Sequence, residues 1–177
     1  MDDPEQRVHL LDRLDAAEAR LRHLVAASTP GLTDPDLSIG ERWEAGQVWA
    51  HVAEFVGYWL AELERVVAGA AGGSAPVPYG RTKSDPGRIA AIERDRHEDP
   101  RALFRRATDG IAQVRPFLAA LPSDGWESEG LHPTRGRQTV AMVVEDSLVG
   151  HLEEHADQLE GLARQSASPS TPRSPTY

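Results

Sequence analysis

Three histidines have the spacing from which chemistry could be built: His51, and the pair in the run His151-Leu-Glu-Glu-His155. On a helix, residues i and i+4 share a face with Cβ atoms about 5–6 Å apart. Two imidazoles at that offset can turn toward one ion at roughly 2 Å each. A third imidazole from a neighbouring helix would complete a three-nitrogen site with one position open to water or substrate, the outline of a catalytic metal centre. From Val140 the apolar residues run Val140, Val144 and Leu148, then His151 and His155, then Leu159 and Leu162. Those steps of three and four put both histidines in a seam where Leu or Val would be expected. A buried ring without a partner costs about 1–3 kcal/mol, so metal ligation is favoured over an ordinary hydrogen-bonded core pair. His51 stands on the shoulder of a second stripe, Val48, Val52, Phe55, Val56, Trp59 and Leu63, sharing its face with Glu54, Tyr58 and Glu62. That position suits a ligand reaching across a bundle and a half-exposed histidine with no role equally well.

The elements that must position these residues are helices. Asp3-Pro4 predicts the start of a first segment carrying Val8, Leu11, Leu14, Leu21 and Leu24, since an acid at the cap followed by proline opens a helix. A second covers about 44–68 and closes in Gly69, Gly72 and Gly73. A Pro/Gly/Ser-rich link from Gly72 to Asp85 is long enough for a crossover or a lid. Asp85-Pro86 caps a short helix with Ile89 and Ile92, and Asp99-Pro100 caps the third long segment, with Phe104, Ala107, Ile111, Val114, Leu118 and Leu121 on its stripe. Pro116 predicts a kink in that helix. Thr139 opens the fourth segment, which runs to about Arg164. Nothing reads as a strand. The expected organisation is an all-α four-helix bundle over residues 1–165 and a disordered Ser/Pro-rich tail over 166–177.

Composition narrows the function classes. The chain has 177 residues, 40% hydrophobic and 27% charged, as expected of one soluble domain with a sizeable core. A net charge of -9 argues against nucleic acid or an anionic membrane as partner. No apolar run approaches a membrane span and no secretion signal is visible, so the expected location is cytoplasmic. Cysteine is absent, which removes any thiolate ligand or nucleophile from the protein itself. Sulfur chemistry here would need a thiol substrate.

Trp43, Trp49-Ala-His51-Val-Ala-Glu54, Gly136-Arg-Gln-Thr139 and Val149-Gly-His151-Leu-Glu-Glu-His155-Ala-Asp-Gln158-Leu159 together resemble the DinB-like superfamily. That superfamily includes mycothiol-dependent maleylpyruvate isomerases and low-molecular-weight-thiol S-transferases. The resemblance covers about residues 5–165 and implies a four-helix bundle with up-up-down-down connectivity and a long crossover. It implies that His51, His151 and His155 hold one divalent metal, commonly zinc or nickel. It also implies a mycothiol-like cosubstrate, and bundles of this kind can pair as homodimers through a helix face.

Three neutral imidazoles leave a divalent ion its full charge, so an anion is favoured at the open position. A free thiol, with a pKa near 8.5, is mostly protonated at neutral pH and would gain most from such a charge. The expected activity is therefore metal-dependent thiol S-transfer, or an isomerisation through a transient thiol adduct. The alternatives are a non-catalytic metal- or small-molecule-binding bundle, and a hydrolase that activates water. The hydrolase needs a general acid or base, for which Glu54 and Glu62 are the candidates, although both also read as ion-paired flanks. His9, His23 and His97 read as surface residues. His132 lies in a loop within reach of a bundle mouth, and Arg81, Arg135 and Arg137 are loop arginines able to hold a carboxylate or sugar hydroxyls.

Overall fold

The computed structural model describes residues 4–27, 29–37, 40–73 and 76–167. Helix α1 spans Pro4–Leu24, α2 Ala45–Ala71, α3 Pro86–Asp95, α4 Pro100–Ala120 and α5 Ser123–Glu127. Helix α6, Val140–Val143, continues through a π-helical turn at Val144–Val149 into α7, Gly150–Ala167. Three short strands, β1 Val77–Pro78, β2 Glu129–His132 and β3 Gly136–Thr139, complete the elements. Helix starts follow local chemistry. The Asp85 and Asp99 carboxylates accept the backbone N–H of Arg88 and Arg101, with proline following each cap, and the Thr139 hydroxyl accepts that of Met142. Each satisfies a donor that a helix otherwise leaves orphaned. At the head of α2 the Gln47 side chain accepts the Glu44 N–H at 3.1 Å. Asp3 and residues 168–177, which hold most of the expected tail, lie outside the described residues.

Cross-helix pairs fix the directions. Arg13 meets Glu153 and Arg20 meets Glu160, so α1 and α7 are parallel. Arg7 reaches the Leu121 carbonyl while Arg115 pairs with Asp15, so α4 is antiparallel to α1. Trp49 sits against Phe104, and a methyl added at Gly110 would lie 2.8 Å from Val56, so α2 and α4 run parallel. The four-helix bundle and its long crossover are thus present, and the crossover carries the chain back alongside α2. Taken in order, α1, α2, α4 and α7 run up-down-down-up, where the resemblance implied up-up-down-down.

The core lies between these four helices, but its faces differ from the expected stripes. In α1 the buried line is Leu10, Leu14, Ala17 and Leu21, whereas Val8 is 59% exposed. In α2 five successive residues, Val48 to Val52, are buried, because the loop before α2 and helices α3, α4 and α7 enclose its first turns from all sides. His51 therefore belongs to the interior and not to a shoulder. Ile89, expected to pack, is 47% exposed, and α3 buries Ile92. Helix α4 continues through Pro116 to Ala120.

The strands correct the expectation that none is present. β2 and β3 form an antiparallel hairpin with Gly130 opposite Gln138, and β1 lies parallel to β2 with Val77 opposite Gly130. Their buried residues include Gly130, His132 and Gln138, which leave no apolar alternation to read. Gly130 is required there, because a Cβ would come within 2.4 Å of the Tyr79 ring. Tyr79 in turn donates its hydroxyl to Gln138 at 2.6 Å, tying the crossover to the hairpin that precedes α6. Among the described residues no helix is long and apolar enough to cross a membrane.

Candidate metal centre

His51 lies near the start of α2, and His151 and His155 occupy the first turns of α7. The structure brings all three together. Nε2 of His151 is 3.1 Å from Nε2 of His51 and 3.1 Å from Nε2 of His155. Four nitrogens arranged tetrahedrally at about 2.05 Å from one ion would be roughly 3.3 Å apart, so the observed spacing is that of a ligand set. The π turn has a local role in placing it. The Gly150 N–H bonds back five residues to the Glu145 carbonyl, so the helix is widened immediately before His151.

The opposite ring nitrogens face oxygen atoms. His155 Nδ1 lies 2.9 Å from Gln158 Oε1, His151 Nδ1 3.4 Å from Glu154, and His51 Nδ1 3.5 Å from Glu54. The first is a made hydrogen bond; the contact at His51 is a charge contact too long and poorly directed to count as one. With protons at Nδ1, all three Nε2 lone pairs point inward. Three converging lone pairs with no cation between them repel, and oxygen partners behind metal-bound imidazoles are the usual means of fixing tautomer and orientation. The donor set therefore fits a divalent ion.

Packing fixes the ring planes. Trp43 stacks on His155 with centroids 6.1 Å apart and meets His51 edge-on at 5.3 Å, while Phe55 meets His151 at 4.8 Å. His51 and His155 are each 3% exposed, and His151 opens outward. Burial pushes the His51 pKa well below its ordinary range, and nearby His155 and His151 push it further. Burial, then His151, brings His155 down to about 3. Both rings thus stay neutral, as ligands must.

A cavity of about 170 Å³ lies over His151 and His155, bounded by Trp43, Arg88, Arg135, Lys83, Glu154 and the segment Thr33–Asp36. It shares Thr33, Asp36, Lys83, Glu154 and Gln158 with a neighbouring depression of about 480 Å³.

The other sequence candidates divide. Glu54 stands behind His51 and is held by Arg81, whose guanidinium lies 3.8 Å above the Tyr58 ring. Glu62 accepts from the Gly80 N–H and Arg65, away from the triad. His132 is buried in the hairpin, its Nδ1 accepting the Thr134 N–H at 3.2 Å, and does not join the three ligands. Arg135 lines the cavity, whereas Arg137 pairs with Glu129 across the strands. His9, His23 and His97 are exposed, as expected. Arg88, Lys83 and Glu154 border the cavity without having been anticipated; their only signal was charge beside helix starts and ligands.

No protein-family model matches the sequence, and no curated protein matches it. Solved structures do. The chain is similar to YfiT from Bacillus subtilis, a probable metal-dependent hydrolase with an unusual four-helix bundle topology, at 18% identity over 94% of this chain and 91% of that one, with a TM-score of 0.73. It is similar to the mycothiol-dependent maleylpyruvate isomerase at 15% identity and a TM-score of 0.62, covering 86% of this chain but 60% of the isomerase. It is also similar to the colibactin self-resistance protein ClbS, solved in complex with a double-stranded DNA, at 14% identity over 89% of this chain and 95% of that one, with a TM-score of 0.60. At these identities the likeness speaks for the fold alone: the chain folds as a four-helix bundle like these structures.

Proposed function

We propose that the protein is a metal-dependent thiol S-transferase or thiol-dependent isomerase, with His51, His151 and His155 holding a divalent ion, zinc or nickel, and a mycothiol-like thiol as cosubstrate. The observation that carries this reading is the buried convergence of three Nε2 atoms, each imidazole with an oxygen behind its Nδ1. A cation held there supplies charge that favours the ionised form of a thiol otherwise protonated at neutral pH. The chain's own residues do the rest. Trp43 and Phe55 hold the ring planes and keep water from two of the three ligands, Gln158 fixes the His155 tautomer, and Arg81 holds Glu54 in place behind His51. The cavity beside His151 gives a small electrophile room next to the triad.

The absence of cysteine means that the sulfur must come from outside, which suits the cytoplasm, where low-molecular-weight thiols stay reduced. The partners in this reading are small molecules and not nucleic acid, given a net charge of -9. The test is metal content by elemental analysis, with free-thiol loss when metal-loaded protein meets a thiol and a haloaromatic electrophile. About one metal per chain and metal-dependent thiol consumption support the reading; a loaded protein inert across several thiols and electrophiles refutes it.

A hydrolytic reading is favoured by one observation: YfiT matches over nearly the full length of both chains, whereas the isomerase extends well beyond this one. Glu154, beside His151 and on the cavity wall, would then be the general base. Turnover of esters or amides without any thiol distinguishes it.

A further inference from the structure

Many arginines of this acidic chain are paired with a carboxylate: Arg13 with Glu153, Arg20 with Glu160, Arg81 with Glu54, Arg96 with Glu44, Arg115 with Asp15. The two that border the triad cavity are not. Arg88, on the first turn of α3, is half-buried and donates through Nη1 to the Lys83 carbonyl at 2.9 Å. Its guanidinium lies 5.1 Å from the Trp43 ring, and the same indole stacks on His155, so fork and ligand ring are tied to one side chain. Arg135, in the turn between β2 and β3, donates Nη1 to the Ser147 hydroxyl at 3.1 Å, and Ser147 lies within the π turn that precedes His151. Neither guanidinium makes an ion pair among the described residues.

The acids around the cavity do not fill this role. Asp36 pairs with Lys83 at 2.6 Å, and Glu154 faces His151. Glu41 also borders the cavity and attracts Arg88 through space without hydrogen-bonding it, and Asp34 lies on the same wall. Arg88 has given up part of its hydration for one carbonyl and an aromatic face, with no bonded anion in return, while Arg135 is exposed and open to one. Burial accordingly draws Arg88 below its ordinary range. A planar guanidinium with donors to spare matches the two oxygens of a carboxylate, which a lysine ammonium does not.

We propose that Arg88 and Arg135 form an oxyanion subsite beside the histidine triad, and that the molecule transformed there is a small compound bearing a carboxylate. The substrate class rests on the reading of the triad as a reaction centre; the binding of the anion does not.

The test uses malonate as probe and malonamide as its uncharged counterpart. Binding to the full chain is followed by calorimetry and tryptophan fluorescence, as purified and after EDTA treatment. Saturable binding of malonate and none of malonamide is expected, retained after EDTA. Arg88→Gln and Arg135→Gln should each weaken it by about tenfold or more, the loss of a charge-assisted hydrogen bond. Arg101→Gln, exposed on α4 away from the cavity, should not. Arg88→Lys keeps the charge without the fork; it should weaken binding while melting as the wild type does, which covers the case in which the glutamine variant is unstable. The proposal is overturned if malonate does not bind, if malonamide binds equally, if both arginine variants bind as wild type does, or if binding disappears with EDTA, which would assign the anion to the metal. A protein that takes up no metal when loading is attempted, yet binds malonate through both arginines, would refute the metal reading and leave the subsite standing.

Discussion

Gln158→Leu is the substitution that most sharply separates a metal centre from three packed histidines. Gln158 Oε1 lies 2.9 Å from Nδ1 of His155, the one made hydrogen bond behind the ligand rings, and His155 is 3% exposed. Leucine is close to glutamine in size but accepts nothing, so a buried N–H loses its partner at a cost of about 1–3 kcal/mol. In a domain of this size that corresponds to a fall of roughly 3–10 °C in melting temperature. Moving the proton from Nδ1 to Nε2 relieves the orphan but buries the lone pair that should face the ion. If the triad holds a metal, the variant must therefore lose affinity as well as stability, by about 10–100-fold, as for other groups that orient ligands. Chelator-competition titration reads the affinity and a melt of the chelated protein reads the stability. Gln158→Glu, which keeps an acceptor and adds charge, should retain the metal. A leucine variant that melts lower yet binds metal as tightly as wild type would refute the reasoning, because the tautomer would then not matter to the ion.

Further outcomes can be checked with the same preparations. His51→Ala, His151→Ala and His155→Ala combined should abolish metal binding in elemental analysis, and a triple variant that stays folded and loaded would exclude the triad as ligands. The chelated protein should lose stability in acid. His51 and His155 have folded pKa values below those of the unfolded chain, so the unfolded state takes up the extra protons as pH falls below about 6.5, at roughly 1.4 kcal/mol per pH unit for each ring. Urea midpoints at pH 7 and 5 measure this, and a midpoint that does not fall would contradict the buried neutral rings. Gly46→Ala should be severely destabilising, since its Cβ would lie 2.1 Å from the Arg96 carbonyl oxygen, a backbone atom that cannot turn aside. A loss above about 3 kcal/mol in denaturant melts is expected; a mild effect would mean that the chain linking α3 to α4 gives way. Arg13→Ala, by contrast, removes a partly exposed pair with Glu153 and should cost no more than about 1 kcal/mol.

Much of this was legible in the residues, and the illegible part has physical causes. Asp85-Pro86, Asp99-Pro100 and Thr139 marked helix starts correctly, because caps act through backbone N–H groups within three residues. The seam from Val140 to Leu162 was also readable, and its histidines do meet. His51 was misplaced on a shoulder because a stripe of apolar residues gives one face, whereas the start of α2 is enclosed by more neighbours than a four-membered bundle supplies. The hairpin escaped because Gly130, His132 and Gln138 fill its inner face, so the period of two carries no hydrophobic signal. Arg88 and Arg135 lie 47 residues apart and share a cavity only through the crossover and the hairpin, a long-range relation that no local spacing encodes.

The π turn between Val144 and Val149 has a consequence for how such a chain can change over generations. A helix with one widened turn behaves as a regular helix into which a single extra residue has been absorbed. Removing one residue within that turn would therefore leave the helix before and after it facing as now. Removing one anywhere else between Thr139 and His151 would rotate the histidine pair by about 100° away from His51. Length variation in this stretch is thus channelled to six positions, and one of them is Ser147, the anchor of Arg135. A descendant that lost that residue could keep its three imidazoles together and still bind a different molecule. Two such chains, lined up residue by residue without a gap there, would show their paired histidines out of step although both stand in the same place.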